Sequence, residues 1–148
     1  MNLLSRRSLL AIAAVVDIAL HARPSPVPAK LLVGRLGLPP RHLETLLQAL
    51  VHAGILKSVR GPRGGYELAR ERRRITAGDI TRAAMSDAAE DLGPPPQSAL
   101  VDTVVAPEVA AASAAFLTVL DGVTVEDLCR RALDGDVGIQ LPEVNFTI

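Results

Sequence analysis

The stretch from Pro40 to Ala69 leaves few folds open. Residues 40–53 place Leu43, Leu46, Leu47, Leu50 and Val51 on one face at helical spacing, with Arg41, Glu44, Thr45, Gln48 and His52 on the other. Gly54 supplies a helix stop, and residues 55–60 then read as a short strand. Gly61-Pro62-Arg63-Gly64-Gly65 is a turn with a basic tip, and Tyr66 to Ala69 returns as a strand, Tyr66 and Leu68 alternating with Glu67 and Ala69. Upstream, residues 6–22 form a helix that puts Leu9, Ile12, Ala13, Val16 and Leu20 together. The cluster Pro24-Ser25-Pro26-Val27-Pro28 ends it, and Pro28 suits the first turn of a short helix over 28–36. Gly37-Leu38-Pro39-Pro40 is a tight connection to the third helix. Two helices, a Gly/Pro turn, a two-faced third helix and a hairpin predict a mainly α chain with a small β wing, a winged helix-turn-helix.

The charges are sorted along the chain. Residues 1–75 hold 13 Lys and Arg against 4 acids, a net of +9, and residues 76–148 hold 3 against 12, a net of −9. The basic half is the footprint expected for a polyanion partner, here double-stranded DNA. The acidic half cannot sit on that polyanion and must do something else. The wing turn carries positive charge with little side-chain bulk, which suits backbone approach to a phosphate or a narrow minor groove. Arg70 to Arg74 adds four arginines directly after it.

Past the hairpin, Thr76-x-x-Asp79 opens a helix over 77–86, and Asp87 to Gln97, with its three prolines, reads as a linker. Residues 98–106 read as helical. Pro107 then starts a new helix to about Leu120, with Val109, Ala112, Phe116, Val119 and Leu120 on one side. Beside them Ala110, Ala111, Ser113, Ala114 and Ala115 form a small-residue face suited to a close interhelical contact. Thr124-x-x-Asp127 caps a last helix to about Leu133, and the tail Ile139–Ile148 fits a strand or an unstructured end equally well. The expected division is a winged DNA-binding unit over 1–86, a linker over 87–97, and dimerisation and effector helices with the tail over 98–148.

Several functions fall away. With 2 Phe, 1 Tyr and no Trp, the chain lacks the stacking platforms of single-strand binders. One cysteine, Cys129, excludes an internal disulfide and an all-cysteine metal site. His21, His42 and His52 show no ligand spacing, so no metal is expected. No nucleophile–base pair, paired carboxylates or phosphate loop appears, and the chain is not expected to be an enzyme. Ser5-Arg6-Arg7-Ser8 before an apolar run looks like a twin-arginine export signal, which would predict cleavage near residue 22. Asp17 interrupts that run after eight apolar residues, no small-x-small site follows, and the run is too short to span a bilayer. A buried first helix of a cytoplasmic protein without membrane contact is the expected reading.

Residues 54–70, with Arg60-Gly-Pro-Arg-Gly-Gly-Tyr66 at their centre, resemble the signature of the Rrf-two family of bacterial transcription regulators, IscR/NsrR type. His42-Leu43-Glu44-Thr45-Leu46-Leu47 is similar to the family's recognition-helix segment, and Ile75-Thr76-x-x-Asp79-Ile80 to its post-wing helix, so the likeness spans roughly 5–85. It implies a winged helix-turn-helix with a long C-terminal dimerisation helix, acting as a homodimer on palindromic operators, most often as a repressor. It also implies minor-groove insertion of Arg60. Sensor members carry three cysteines before the long helix that hold a two-iron two-sulfur cluster. Residues 86–123 contain none, and Cys129 lies outside that segment. The sequence therefore resembles the cluster-free branch, and no cofactor is expected.

The residues expected to touch DNA follow. Arg60 and Arg63 lie in the wing; Arg41, His42, Glu44, Thr45 and Gln48 face the major groove, where Glu accepts from cytosine and Arg pairs with guanine. Arg6, Arg7 and Lys30 are expected on phosphates. The bland reading of Glu44 is a surface pair with Arg41, three residues before it. Cys129 reads as a small buried hydrophobe or as a redox thiol activated by Arg130 and Arg131. An alternative function is a winged-helix adaptor with weak or lost DNA binding, whose acidic half holds a basic partner protein. An unknown effector acting on the acidic half is expected in the leading reading.

Overall fold

The computed structural model describes residues 4–86 and 98–135. Helix α1 (Arg6–His21) is followed by α2 (Ala29–Leu36), α3 (Pro40–His52), the hairpin strands β1 (Leu56–Val59) and β2 (Gly65–Leu68), and α4 (Ala77–Ser86). α5 (Ala106–Asp121) and α6 (Val125–Asp134) complete the described residues. The strands are antiparallel, with Leu56 opposite Leu68 and Val59 opposite Gly65. The mainly helical winged architecture is the one expected. The 87–97 linker and the 139–148 tail lie outside the described residues.

The core explains why these segments fold together. α1 buries Ala11, Val15 and Ile18, and α3 buries Leu43, Leu46, Leu47 and Leu50. Ile55, Leu56, Ile75 and Ile80 close the same cluster. Each fully buried Leu or Ile contributes about 1.5–3 kcal/mol over an exposed one, so short helices that would be marginal alone are held by tertiary packing. α6 joins this core through Val125 and Cys129, returning the chain to the winged unit.

α1 therefore belongs to the core, and Asp17, which breaks its apolar run, has a structural task. Asp17 is 8% exposed and accepts two hydrogen bonds from the Arg35 guanidinium, at 2.8 Å from Nε and 2.7 Å from Nη2. His21 Nδ1 lies 3.4 Å from the same carboxylate. The pair ties α1 to α2.

The wing has a third, one-residue strand. Val27 and Tyr66 exchange backbone hydrogen bonds of 2.9 and 2.8 Å. A Cβ on Gly65 would overlap the Val27 carbonyl oxygen, and one on Gly64 the Val59 carbonyl oxygen. Gly64 thus serves the wing's own turn and Gly65 its packing against a segment far away in sequence, beyond the expected open approach to phosphate.

Arg72–Arg74 form a 3₁₀ turn. One element differs from expectation. The helix expected to restart at Pro107 is continuous: residues 99–100 are already helical, Val101–Val105 form a π segment, and α5 runs on through Pro107. Proline lacks an N–H and crowds the carbonyl four residues back, and the wider π turn before it relieves both demands. The result is an apolar helix, Val101–Asp121, of 21 residues and mean hydropathy 1.7 with none of its apolar window buried within the chain. By length and composition alone it is long and apolar enough to cross a membrane.

Candidate nucleic-acid interface

α3 turns its leucines inward and leaves Arg41, His42, Glu44, Thr45 and Gln48 exposed in one stripe. Pro39 and Pro40 start the helix without a side-chain cap, so the positive end of its dipole is unneutralised. Beside that end, Arg6, Arg7, Arg41, His42 and Thr45 line one shallow depression where α1 and α3 meet. Thr45 Oγ1 donates back to the Arg41 carbonyl at 3.1 Å, which holds its hydroxyl against the helix. Lys30 and Glu44 line a second depression with Tyr66 of the wing. Arg60 and Arg63 are exposed at the wing turn.

Partners separate the cations into two sets. Arg35 holds Asp17, Lys57 pairs with Glu67 at 3.0 Å, Arg72 with Glu126 at 3.1 Å and Arg73 with Glu71 at 2.6 Å. Arg70 Nε donates to the Gly54 carbonyl, and Arg7 Nε to the Ala84 carbonyl at the end of α4. Arg7, expected on a phosphate, is thus half-buried and engaged between α1 and α4. By contrast, Arg6, Lys30, Arg41, Arg60 and Arg63 are exposed and make no side-chain hydrogen bond or ion pair among the described residues. Arg23 shares that condition and was not singled out from the sequence, whereas the charge of Arg74 acts on Glu71. Glu44 makes no ion pair with Arg41 or any other described residue, so its surface-pair reading fails. An unpaired carboxylate among unpaired cations costs affinity for a polyanion and is tolerable where it discriminates between bases.

Cys129 is 1% exposed. Burial pushes its thiol up, while a hydrogen bond and charge from Arg72 pull it down and Glu126 raises it. Arg130 and Arg131, its sequence neighbours, are not the groups that act on it. The reactive species is the thiolate, so a thiol reagent should modify the native protein on the order of 100-fold more slowly than the urea-unfolded chain. A native rate matching the unfolded one would restore the redox reading.

The fold and these exposed faces define the winged-helix class of transcription regulators. The chain belongs to the Rrf2 family, described as iron-dependent transcriptional regulators, whose model matches residues 4–131. It is similar to the HTH-type transcriptional regulator IscR of Vibrio atlanticus, 40% identical over 80 residues, which covers 54% of this chain and 46% of that protein. The match thus spans about half the length of that curated relative. Among solved structures it is similar to T. potens IscR (33% identity, TM-score 0.69, 90% of each chain). It is also similar to CymR, the global cysteine regulator of B. subtilis (31% identity, TM-score 0.67, 88% of this chain and 98% of that one).

The iron dependence in the family description can be tested against the donors present. An iron–sulfur cluster takes about four ligands, mostly thiolates. This chain has one cysteine, sealed in the core under α6, and no three His, Cys, Asp or Glu side chains converge among the described residues. The donor set does not fit such a cluster.

Proposed function

We propose that the protein is a homodimeric, sequence-specific DNA-binding repressor that reads a palindromic operator without an iron–sulfur cluster. The observation that carries this reading is the set of exposed, unpaired side chains on the helix-turn-helix and the wing: Arg6 on α1, Lys30 on α2, Arg41 and Glu44 on α3, and Arg60 and Arg63 at the wing turn. Phosphate contacts by the cations fix the register, and Arg41, Glu44, Thr45 and Gln48 read base edges in the major groove. Arg60 enters the adjacent minor groove. The two winged heads, residues 1–86 of each protomer, are joined through the bare apolar length of α5, which a second copy covers. DNA of this kind places the protein in the cytoplasm, and an effector acts on the acidic half.

Arg60→Ala should weaken binding to the operator by about 1–3 kcal/mol, a rise in Kd of about 5- to 150-fold. Fluorescence anisotropy on a labelled duplex measures it. An unchanged Kd would remove the wing from the reading mechanism.

A further inference from the structure

Resting on the homodimer reading above, we propose that Gly78, Arg82 and Asp121 set the distance between the two reading heads, and with it the half-site spacing the dimer accepts. α5 meets the winged head along α4, and its C-terminal end is stitched to the start of that helix. The Ala77 N–H donates to the Val123 carbonyl and the Val125 N–H to the Ile75 carbonyl, both at 2.8 Å, so Thr76 and Thr124 face each other in an antiparallel bridge. Each threonine also caps its own helix. Thr76 Oγ1 accepts from the Asp79 N–H at 3.0 Å, and Thr124 Oγ1 from the Asp127 N–H at 3.1 Å. Two helix starts are thereby locked back to back.

One turn further along, Arg82 grips Asp121 with both arms of its guanidinium, at 2.6 Å to Oδ1 and 2.8 Å to Oδ2. Gly78 makes the room: a Cβ there would overlap the Asp121 carboxylate and press on the Asp121 backbone nitrogen at 3.1 Å. The bidentate grip fixes direction as well as contact. It holds the Asp121 carboxyl below its ordinary range.

The leverage is large. α5 has 16 residues and is about 24 Å long, so a tilt of about 10° at this joint moves its far end by about 4 Å, close to one base-pair rise. Residues 106–115 of α5 are exposed throughout. The joint therefore decides where a head sits relative to a two-fold axis running through the α5 seam. Arg82 and Asp121 are exposed, and exposed pairs add little to folding stability. Their evident role is to aim the helix.

The test is selection by the full-length chain from a pool of duplexes randomised over about 30 base pairs, three helical turns. Wild type should enrich one half-site spacing, and Asp121→Ala and Arg82→Ala should enrich the same half-site spread over two or three spacings. Affinity for a duplex with one half-site, and the sedimentation coefficient, should not change. Arg82→Asp combined with Asp121→Arg should restore the single spacing. Gly78→Ala should broaden it as well, by displacing Asp121, although alanine favours the helix and the variant will fold. A spacing distribution that stays single in Asp121→Ala and Gly78→Ala overturns the joint's role and leaves the dimer intact. A wild-type chain that sediments as a monomer overturns the homodimer reading as well.

Discussion

Asp17→Ala should lower the unfolding free energy by about 3–5 kcal/mol, enough to unfold a large share of a domain this size at 37 °C. The carboxylate is almost sealed, and it accepts both arms of a guanidinium whose own side chain is 17% exposed. Removing it strands a buried cation between α1 and α2, the situation in which breaking an ion pair is most damaging. Asp17→Asn keeps an acceptor for Arg35 and should cost less. The double change to leucine at 17 and 35 removes both charges and should come closer to wild type than Asp17→Ala. Urea titration followed by circular dichroism compares all three. A midpoint for Asp17→Ala within error of wild type would show that the pair does not hold the first two helices together.

Val109→Asp should dissociate the dimer. Val109 is 58% exposed in the single chain and sits in the first turn of an α5 that contributes no buried residue to its own head. In a two-fold seam each substitution appears twice, and every unpaired carboxylate buried there costs several kcal/mol. The variant should sediment as a monomer at micromolar concentration, and its affinity for a palindromic duplex should fall to that for a single half-site. Its thermal melt should stay close to wild type, because the core cluster excludes α5. A Val109→Asp protein that remains dimeric would move the interface away from this helix.

What the sequence revealed, and what it hid, follows the range of the physics involved. The two faces of α3 and the hairpin after it are local patterns, a 3.6-residue period and a turn, and both survive in the structure. So do the Thr76 and Thr124 caps, which act over three residues. Pro107 misled because proline at a helix start is the common local solution, whereas here a π segment lets the helix pass through it. Asp17 reads as a flaw in an apolar run because its partner lies 18 residues on, across the proline cluster. The Gly64-Gly65 pair looks like an open approach to a ligand, but Gly65 is required by Val27. Cys129 illustrates the same point: its sequence neighbours suggest activation by Arg130 and Arg131, and the arginine that reaches it is Arg72, from the turn after the wing.

The candidate interface was legible as composition and became specific through pairing. Thirteen basic residues in the first half are equivalent in a sequence count. The fold divides them into those consumed by internal partners, Arg7 and Arg35 among them, and those left free beside α3 and on the wing. That division is what supports the proposed reading face around Glu44.

The measurement that bears most directly on this account is selection of randomised duplex DNA by the purified wild-type chain, followed by titration of the winning duplex at two salt concentrations. Enrichment of a palindrome is expected. Log affinity should also fall steeply with log salt, with a slope of about −5 if Arg6, Lys30 and Arg63 on each of two protomers neutralise phosphates. No enriched sequence, with weak binding and a shallow slope, would contradict this account and favour a winged-helix adaptor that holds a protein partner.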